Sequence, residues 1–133
     1  MRELSLKTDR KTQLVEVTDV VRDAVAGQSG TAALVYVPHT TAGIAINERI
    51  DPELVDDLER AFNRVVGDDW EWKHEDEDGP NAPSHARASL ASQPQVLIPL
   101  RDDGSLALGT YQGLFFCEFD GPRDRKLFVS VLQ

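Results

Sequence analysis

The last third of the chain sets the tightest limit on the fold. From Gln95 onward short apolar runs follow one another closely: Gln95 to Leu100, Leu106-Ala107-Leu108, Tyr111 to Phe119 and Arg125 to Leu132. Turn chemistry separates them, with Arg101-Asp102-Asp103-Gly104 suited to a hairpin and Gly121-Pro122 breaking the last pair. Parallel neighbours need a crossover of a dozen or more residues, and these gaps are too short to hold one. The segment therefore predicts antiparallel strands.

The rest of the chain adds strands and all of the helices. Residues 3–8 and 12–17 read as two short strands around the turn Asp9-Arg10-Lys11. Thr18 suits the N-cap of a short helix carrying Val20, Val21, Ala24 and Val25, and Gly27 suits its end. Thr31 to Val37 is apolar enough for a buried strand, which Pro38 stops. The clearest helix begins at Asp51, an N-cap followed by Pro52 in the first helical position and Glu53 near the positive end of the dipole. Leu54, Val55, Leu58, Ala61, Phe62, Val65 and Val66 recur there at helical spacing, and Gly67 suits the C-terminal cap. A further short helix runs from Pro83 through Ser92, with Asn81 as its cap. Helices are grouped rather than alternating with strands. The expected fold is α+β, a β-rich sheet or sandwich with two or three segregated helices, in one domain over residues 1–133.

Charge and composition narrow the function classes. With 23 acidic side chains against 14 Lys and Arg, the net charge is −9, which argues against nonspecific nucleic-acid binding. A small anionic ligand stays open, because a local group of Arg and His can reverse the field inside one cavity. No apolar run approaches the roughly 20 residues needed to cross a bilayer, and the amino terminus has no secretory h-region. The cytoplasm is the expected compartment. The single cysteine, Cys117, sits in the run Leu114-Phe115-Phe116-Cys117 and reads as a core residue rather than a nucleophile.

The candidate chemistry lies at element boundaries. His39-Thr40-Thr41-Ala42-Gly43 follows a strand end, where hydroxyls and backbone N–H groups can meet an anion and Gly43 permits close backbone approach. A turn with a surface histidine is the plainer alternative. His74 lies in a strongly acidic loop over residues 67–82, with Trp70 and Trp72 beside it, and His85 opens the following helix. Their spacing matches no short zinc motif, and each alone reads as a surface or structural residue. All three nevertheless sit beside hydroxyls, amides or carboxylates such as Thr40, Asn81 and Ser84, which suggests convergence on one polar site. Asn47 and Glu48 precede the capped helix, so Glu48 is either a general acid/base or a surface carboxylate. Gln112, between Gly109 and Gly113, suggests a bulge aimed at a cavity. Arg123 and Arg125, near Glu118, would bind an anion or form a structural ion pair.

Taken in order, these segments resemble the YjbQ-like family. The resemblance rests on His39 through Glu48, Asp51-Pro52, His74, Asn81-Ala82-Pro83-Ser84-His85, Gly109 through Gly113, Glu118 and Arg125, and it spans almost the entire chain. Members are often labelled secondary thiamine-phosphate synthases. The resemblance implies a compact β-rich α+β fold, a homotrimer and a polar site containing His39, His74 and His85. It also implies a weak ability to join the pyrimidine and thiazole halves of thiamine phosphate, beside an unidentified main reaction. Two departures stand out: Tyr111 where the family usually has tryptophan, and Pro80 where many members have an acidic or amide residue.

These readings lead to an enzyme acting on a small anionic or phosphorylated substrate. His39, Glu48 and Gln112 are its candidate catalytic residues. Thr40, Thr41, Asn47, Ser84 and Arg125 are the candidate anion-binding residues. A divalent metal, zinc or magnesium, would be held by His39, His74 and His85. The alternatives are a metal-assisted hydrolase or lyase and a non-catalytic trimeric metal- or anion-binding module.

Overall fold

The computed structural model describes residues 1–49, 51–75 and 80–133. Among them the elements run β1 (Arg2–Lys7), β2 (Gln13–Glu16), α1 (Thr18–Val25), β3 (Ala32–Tyr36), β4 (Ala42–Glu48), α2 (Pro52–Arg64), α3 (Ala82–Ala91), β5 (Gln95–Pro99), β6 (Gln112–Glu118) and β7 (Asp124–Leu132). Two sheets form, in the orders β1-β7-β3-β5 and β2-β6-β4, and every pairing is antiparallel. The expected α+β sandwich with segregated helices is what the chain adopts.

β6 shows why its sequence is a continuous apolar run. Leu114 and Phe116 point into the core between the sheets, which α1 closes with Val21, Ala24 and Val25. Phe115 and Cys117 point the other way, into a second cluster with Leu14, Phe119 and the α2 side chains Val55, Leu58 and Phe62. A strand buried on both faces has no polar side to alternate with. Cys117 is fully buried, and burial pushes its thiol up to about 12, so it is core and no nucleophile at neutral pH. No helix of the described residues is long and apolar enough to cross a membrane.

Several local expectations change. β1 and β2 flank the Asp9-Arg10-Lys11 turn but enter different sheets, β1 beside β7 and β2 beside β6. Thr18 is the first residue of α1 rather than its cap, because its hydroxyl accepts the N–H of Leu114 at 2.9 Å. Asp51 does cap α2, accepting the Glu53 N–H at 2.9 Å. That helix stops at Arg64, before Gly67, and it leaves Val65 half-exposed. Its buried residue is Glu59, whose carboxylate takes Arg10 at 2.7 Å and the Leu14 N–H at 2.7 Å, tying α2 to β2. Residues 106–108 form only a single bridge, Leu106 to Leu100, instead of a strand. Asp76, Glu77 and Asp78 of the acidic loop lie outside the described residues.

Candidate functional site

One end of the sandwich opens into a cavity of about 330 Å³. The loop between β3 and β4 contributes Pro38, His39, Thr40 and Thr41; the start of α3 contributes Asn81 and His85. The turn from β6 to β7 adds Asp120, Arg123 and Arg125. Pro38 ends β3 just before these groups, so the strand delivers them to the sheet edge.

The floor is a buried ionic network. Glu118, at the last position of β6, is fully buried, and Arg125 is nearly so. Glu118 Oε1 accepts the Arg125 Nε–H at 2.8 Å and the Thr8 hydroxyl at 2.7 Å. Oε2 accepts the N–H groups of Phe119 at 3.1 Å and Asp120 at 3.0 Å, together with a second guanidinium bond from Arg125. Burial alone would raise the Glu118 pKa, but bonds from Arg125, Thr8 and Asp120 outweigh it and hold the carboxyl below its ordinary range. The same guanidinium donates to Thr41 Oγ1 at 2.8 Å, fixing the loop above. Asp120 accepts from Asn81 Nδ2 at 3.1 Å and from Arg123 at 2.8 Å. Both arginines are therefore paired, and the cavity presents directed N–H groups more than a large net positive charge.

His39 is the most informative of these side chains. Its Nε2 accepts the backbone N–H of Lys126 at 2.9 Å. Burial, then the nearby Arg125 charge, lowers its pKa, so the ring is neutral near pH 7. A neutral imidazole that accepts at Nε2 carries its proton at Nδ1, which makes His39 a hydrogen-bond donor through that atom. Ligating a metal through Nδ1 would move the proton to Nε2, against the Lys126 N–H. In this arrangement His39 does not fit a metal ligand.

The other two histidines meet each other. His74 and His85 stand edge-to-face with ring centroids 5.1 Å apart, and His85 shares the cavity with His39. Among the described residues no group of three or more His, Cys, Asp or Glu side chains is placed to hold an ion. His39 and His85 thus line the cavity, and His74 stands against His85. The loop that carries His74 is pinned at its start by Trp72, which donates to the Gly67 carbonyl at 3.0 Å and stacks on Trp70.

Four expected site residues have other work in the chain. Ser84 is buried and donates to the Phe119 carbonyl at 2.6 Å, anchoring α3 to the end of β6. Glu48, Asn47 and Gln112 occupy the opposite end of the β4–β6 ladder, where Glu48 pairs with Gln112 and Asn47 with Gly113. At 3.3–3.4 Å per residue they lie about 20 Å along the strand from Ala42, so within one chain they do not share the cavity. Gln112 forms no bulge; its side chain turns back to accept the Gly109 N–H at 2.8 Å. Gly43 does serve a close approach, but the neighbour is Ser92: a Cβ there would fall 2.0 Å from the Ser92 hydroxyl. Asp120 was not singled out in the sequence. Its only local signal is the Asp-Gly-Pro-Arg turn that places Arg123 three residues on.

Comparison with known proteins agrees with the fold. A family model described as "UPF0047 protein YjbQ-like" matches residues 2–133. The chain is 37% identical to the UPF0047 protein YugU of Bacillus subtilis, covering 99% of this chain and 98% of the relative. It is 38% identical to a UPF0047 protein of Archaeoglobus fulgidus, covering 98% and 99%. Among solved structures, an uncharacterized conserved protein of the YjbQ/UPF0047 family from Clostridium acetobutylicum superposes with a TM-score of 0.90 at 42% identity, covering 99% of this chain and all of that one. Near-complete coverage in every case leaves no large segment of either partner unmatched, and the chain belongs to the YjbQ-like UPF0047 family.

Proposed function

We propose that the cavity binds a small anionic or phosphorylated metabolite and that the protein is an enzyme acting on it. The observation that carries this is the Lys126 N–H donated to His39 Nε2, which leaves a neutral ring with a donor at Nδ1 on the cavity wall. Arg125, Arg123, Asn81 and Thr40 line the same cavity, beside the Asp120 carboxylate that holds Asn81 and Arg123, and carry donors suited to phosphate oxygens. The first turn of α3 adds the positive end of a helix dipole on the same side.

The family resemblance favours transfer chemistry of the thiamine-phosphate synthase kind. In that reaction the bond between a pyrimidine-borne methylene and pyrophosphate breaks, and the electron pair leaves with pyrophosphate. The thiazole nitrogen forms the new C–N bond. His39 Nδ1–H and the guanidiniums would stabilise the charge developing on the leaving group. No step is assigned to Glu48 or Gln112, which this chain holds at the far end of the sheet.

Inorganic phosphate and pyrophosphate should raise the wild-type Tm with concentration, and His39→Gln should remove most of that rise without altering the circular dichroism spectrum. Incubation with both thiamine precursors should give product that is lost in His39→Ala. No product at high enzyme concentration eliminates the synthase activity. Zinc or magnesium bound in stoichiometric amount, and lost in both His74→Ala and His85→Ala, would instead favour the metal-assisted alternative.

We also propose a homotrimer in the cytoplasm. The outer face of the four-stranded sheet supports self-association: Tyr36 stacks on Phe128 there, Leu97 is 55% exposed, and the three helices pack elsewhere. Leu97→Glu should reduce the sedimenting mass to that of a single chain, whereas a monomeric wild type would contradict the trimer.

A further inference from the structure

Trp70, in the loop after α2, is 57% exposed, although an indole gains more than most side chains from leaving water. Its position is nevertheless fixed. Arg87, fully buried on α3, donates to the carbonyls of Asn63 at 3.1 Å and Val66 at 2.8 Å and to Asp68 at 3.1 Å, which clamps the loop where it leaves α2. Trp72 donates to the Gly67 carbonyl at 3.0 Å and stacks on Trp70, with ring centroids 5.8 Å apart and planes 18° from parallel. Glycine is needed at 67, because a Cβ there would overlap the Trp70 ring edge and come within 2.9 Å of Asp69 Oδ1. Trp72 thus covers one indole face and Gly67 meets the ring edge, while the other face is left to solvent. The rim of this platform is acidic. Asp68 pairs with Arg87, but Asp69, Glu71 and Glu75 are exposed and form no ion pair among the described residues. Lys73 is the one Lys or Arg in residues 68–75.

We infer that the open face of Trp70 is a docking surface for an arginine-bearing, basic segment of a partner protein. A cation is drawn to the face of an indole, and a guanidinium lies flat on it with its edge N–H groups free to meet the carboxylates of the rim. The rigid platform loses little conformational freedom when it is covered. A small ammonium ligand fits less well, because recognition of such a cation uses rings that surround it, and these two indoles cover each other instead. The acidic rim likewise disfavours nucleic acid and anionic lipid. Trp and Arg are also the side chains most often found at the energetic centre of protein interfaces. The inference is independent of the anion-binding reading of the cavity.

The test titrates the intact protein into dye-labelled hexa-arginine and hexa-lysine peptides at low salt, with fluorescence anisotropy as the readout. Hexa-arginine should bind the wild type more tightly than hexa-lysine and should quench its tryptophan emission, which comes from Trp70 and Trp72 alone. Trp70→Leu keeps the charge and should weaken hexa-arginine by at least about fivefold while abolishing the preference over hexa-lysine. Trp70→Phe, which keeps a ring, should fall between that variant and the wild type, and Asp69→Asn should weaken binding by about twofold. Equal affinity of the wild type and Trp70→Leu would mean that the net charge of −9 alone attracts the peptide, and would overturn the docking surface. Absence of binding to the wild type at low salt would overturn it as well. A drop in sedimenting mass on Trp70→Leu, without peptide, would assign the ring to contacts between copies of this chain and contradict the inference.

Discussion

At the Ala42–Glu118 end of the β4–β6 ladder a fully buried carboxylate gathers five hydrogen bonds, two of them from one arginine. Six residues along, at the Glu48–Gln112 end, both side chains are exposed and the bonds run to near neighbours: Glu48 N–H to Asn47 Oδ1, and Gly109 N–H to Gln112 Oε1. The same two strands thus carry a preorganised end and a solvated one. The difference lies in what packs against each. The first end is enclosed by α3, the β3–β4 loop and the turn into β7, so its polar groups must satisfy one another. Water satisfies the second. Of these two ends, the enclosed one holds its polar groups in fixed positions.

The largest expected effect comes from breaking the enclosed end. Glu118→Gln leaves the Arg125 guanidinium buried without its counter-charge and should cost about 3–5 kcal/mol in urea unfolding. A loss below about 1 kcal/mol would show that water reaches this pair.

Acid should separate the two ends next. Glu118 is held below the ordinary carboxylate pKa, so its contribution to stability is complete above the unfolded value of about 4.3 and is lost as pH falls through the folded one. His39 acts at higher pH. Its folded pKa is depressed, the unfolded imidazole takes up a proton first, and stability therefore declines as pH drops below about 6.5. Stability–pH curves should show the upper step removed in His39→Gln and the lower step removed in Glu118→Gln. In Glu48→Gln both should persist, and a missing step there would mean that the two ends are electrostatically coupled.

The smallest effects belong to the solvated end. Glu48→Gln and Gln112→Ala should each change stability by less than about 0.5 kcal/mol and leave the phosphate-induced rise in Tm unaltered. Loss of that rise would carry a different meaning. It would show that a neighbouring subunit brings its own Glu48 end to the cavity.

Much of the fold was legible because its signals are local. The apolar run through β6 announces burial on both faces, and Asp51-Pro52 announces α2. Pairing was not legible: nothing in residues 3–17 says that the two strands around one turn belong to different sheets. The apolar spacing of α2 places Val55, Leu58 and Phe62 against the second cluster, but it does not show that Arg10, far away in sequence, makes Glu59 a residue to bury as well. In the site, His39, Thr40, Thr41, His85 and Arg125 were recognisable from polar groups at strand and helix ends, and they do meet. Glu48 and Gln112 stand apart from the cavity within one chain for a geometric reason. Glu48 follows His39 closely in sequence, but an extended strand carries it away by more than 3 Å at every step. A hydroxyl at a helix start often meets a ligand, yet here the Ser84 hydroxyl donates its hydrogen bond to the Phe119 carbonyl.

Long-range proton–nitrogen NMR of the histidine rings at pH 7 reads the His39 tautomer itself. His39 should show a protonated Nδ1 and an unprotonated, hydrogen-bonded Nε2, with the Nδ1 signal moving when inorganic phosphate is added. A proton on Nε2, an imidazolium at that pH, or a ring indifferent to phosphate would contradict it.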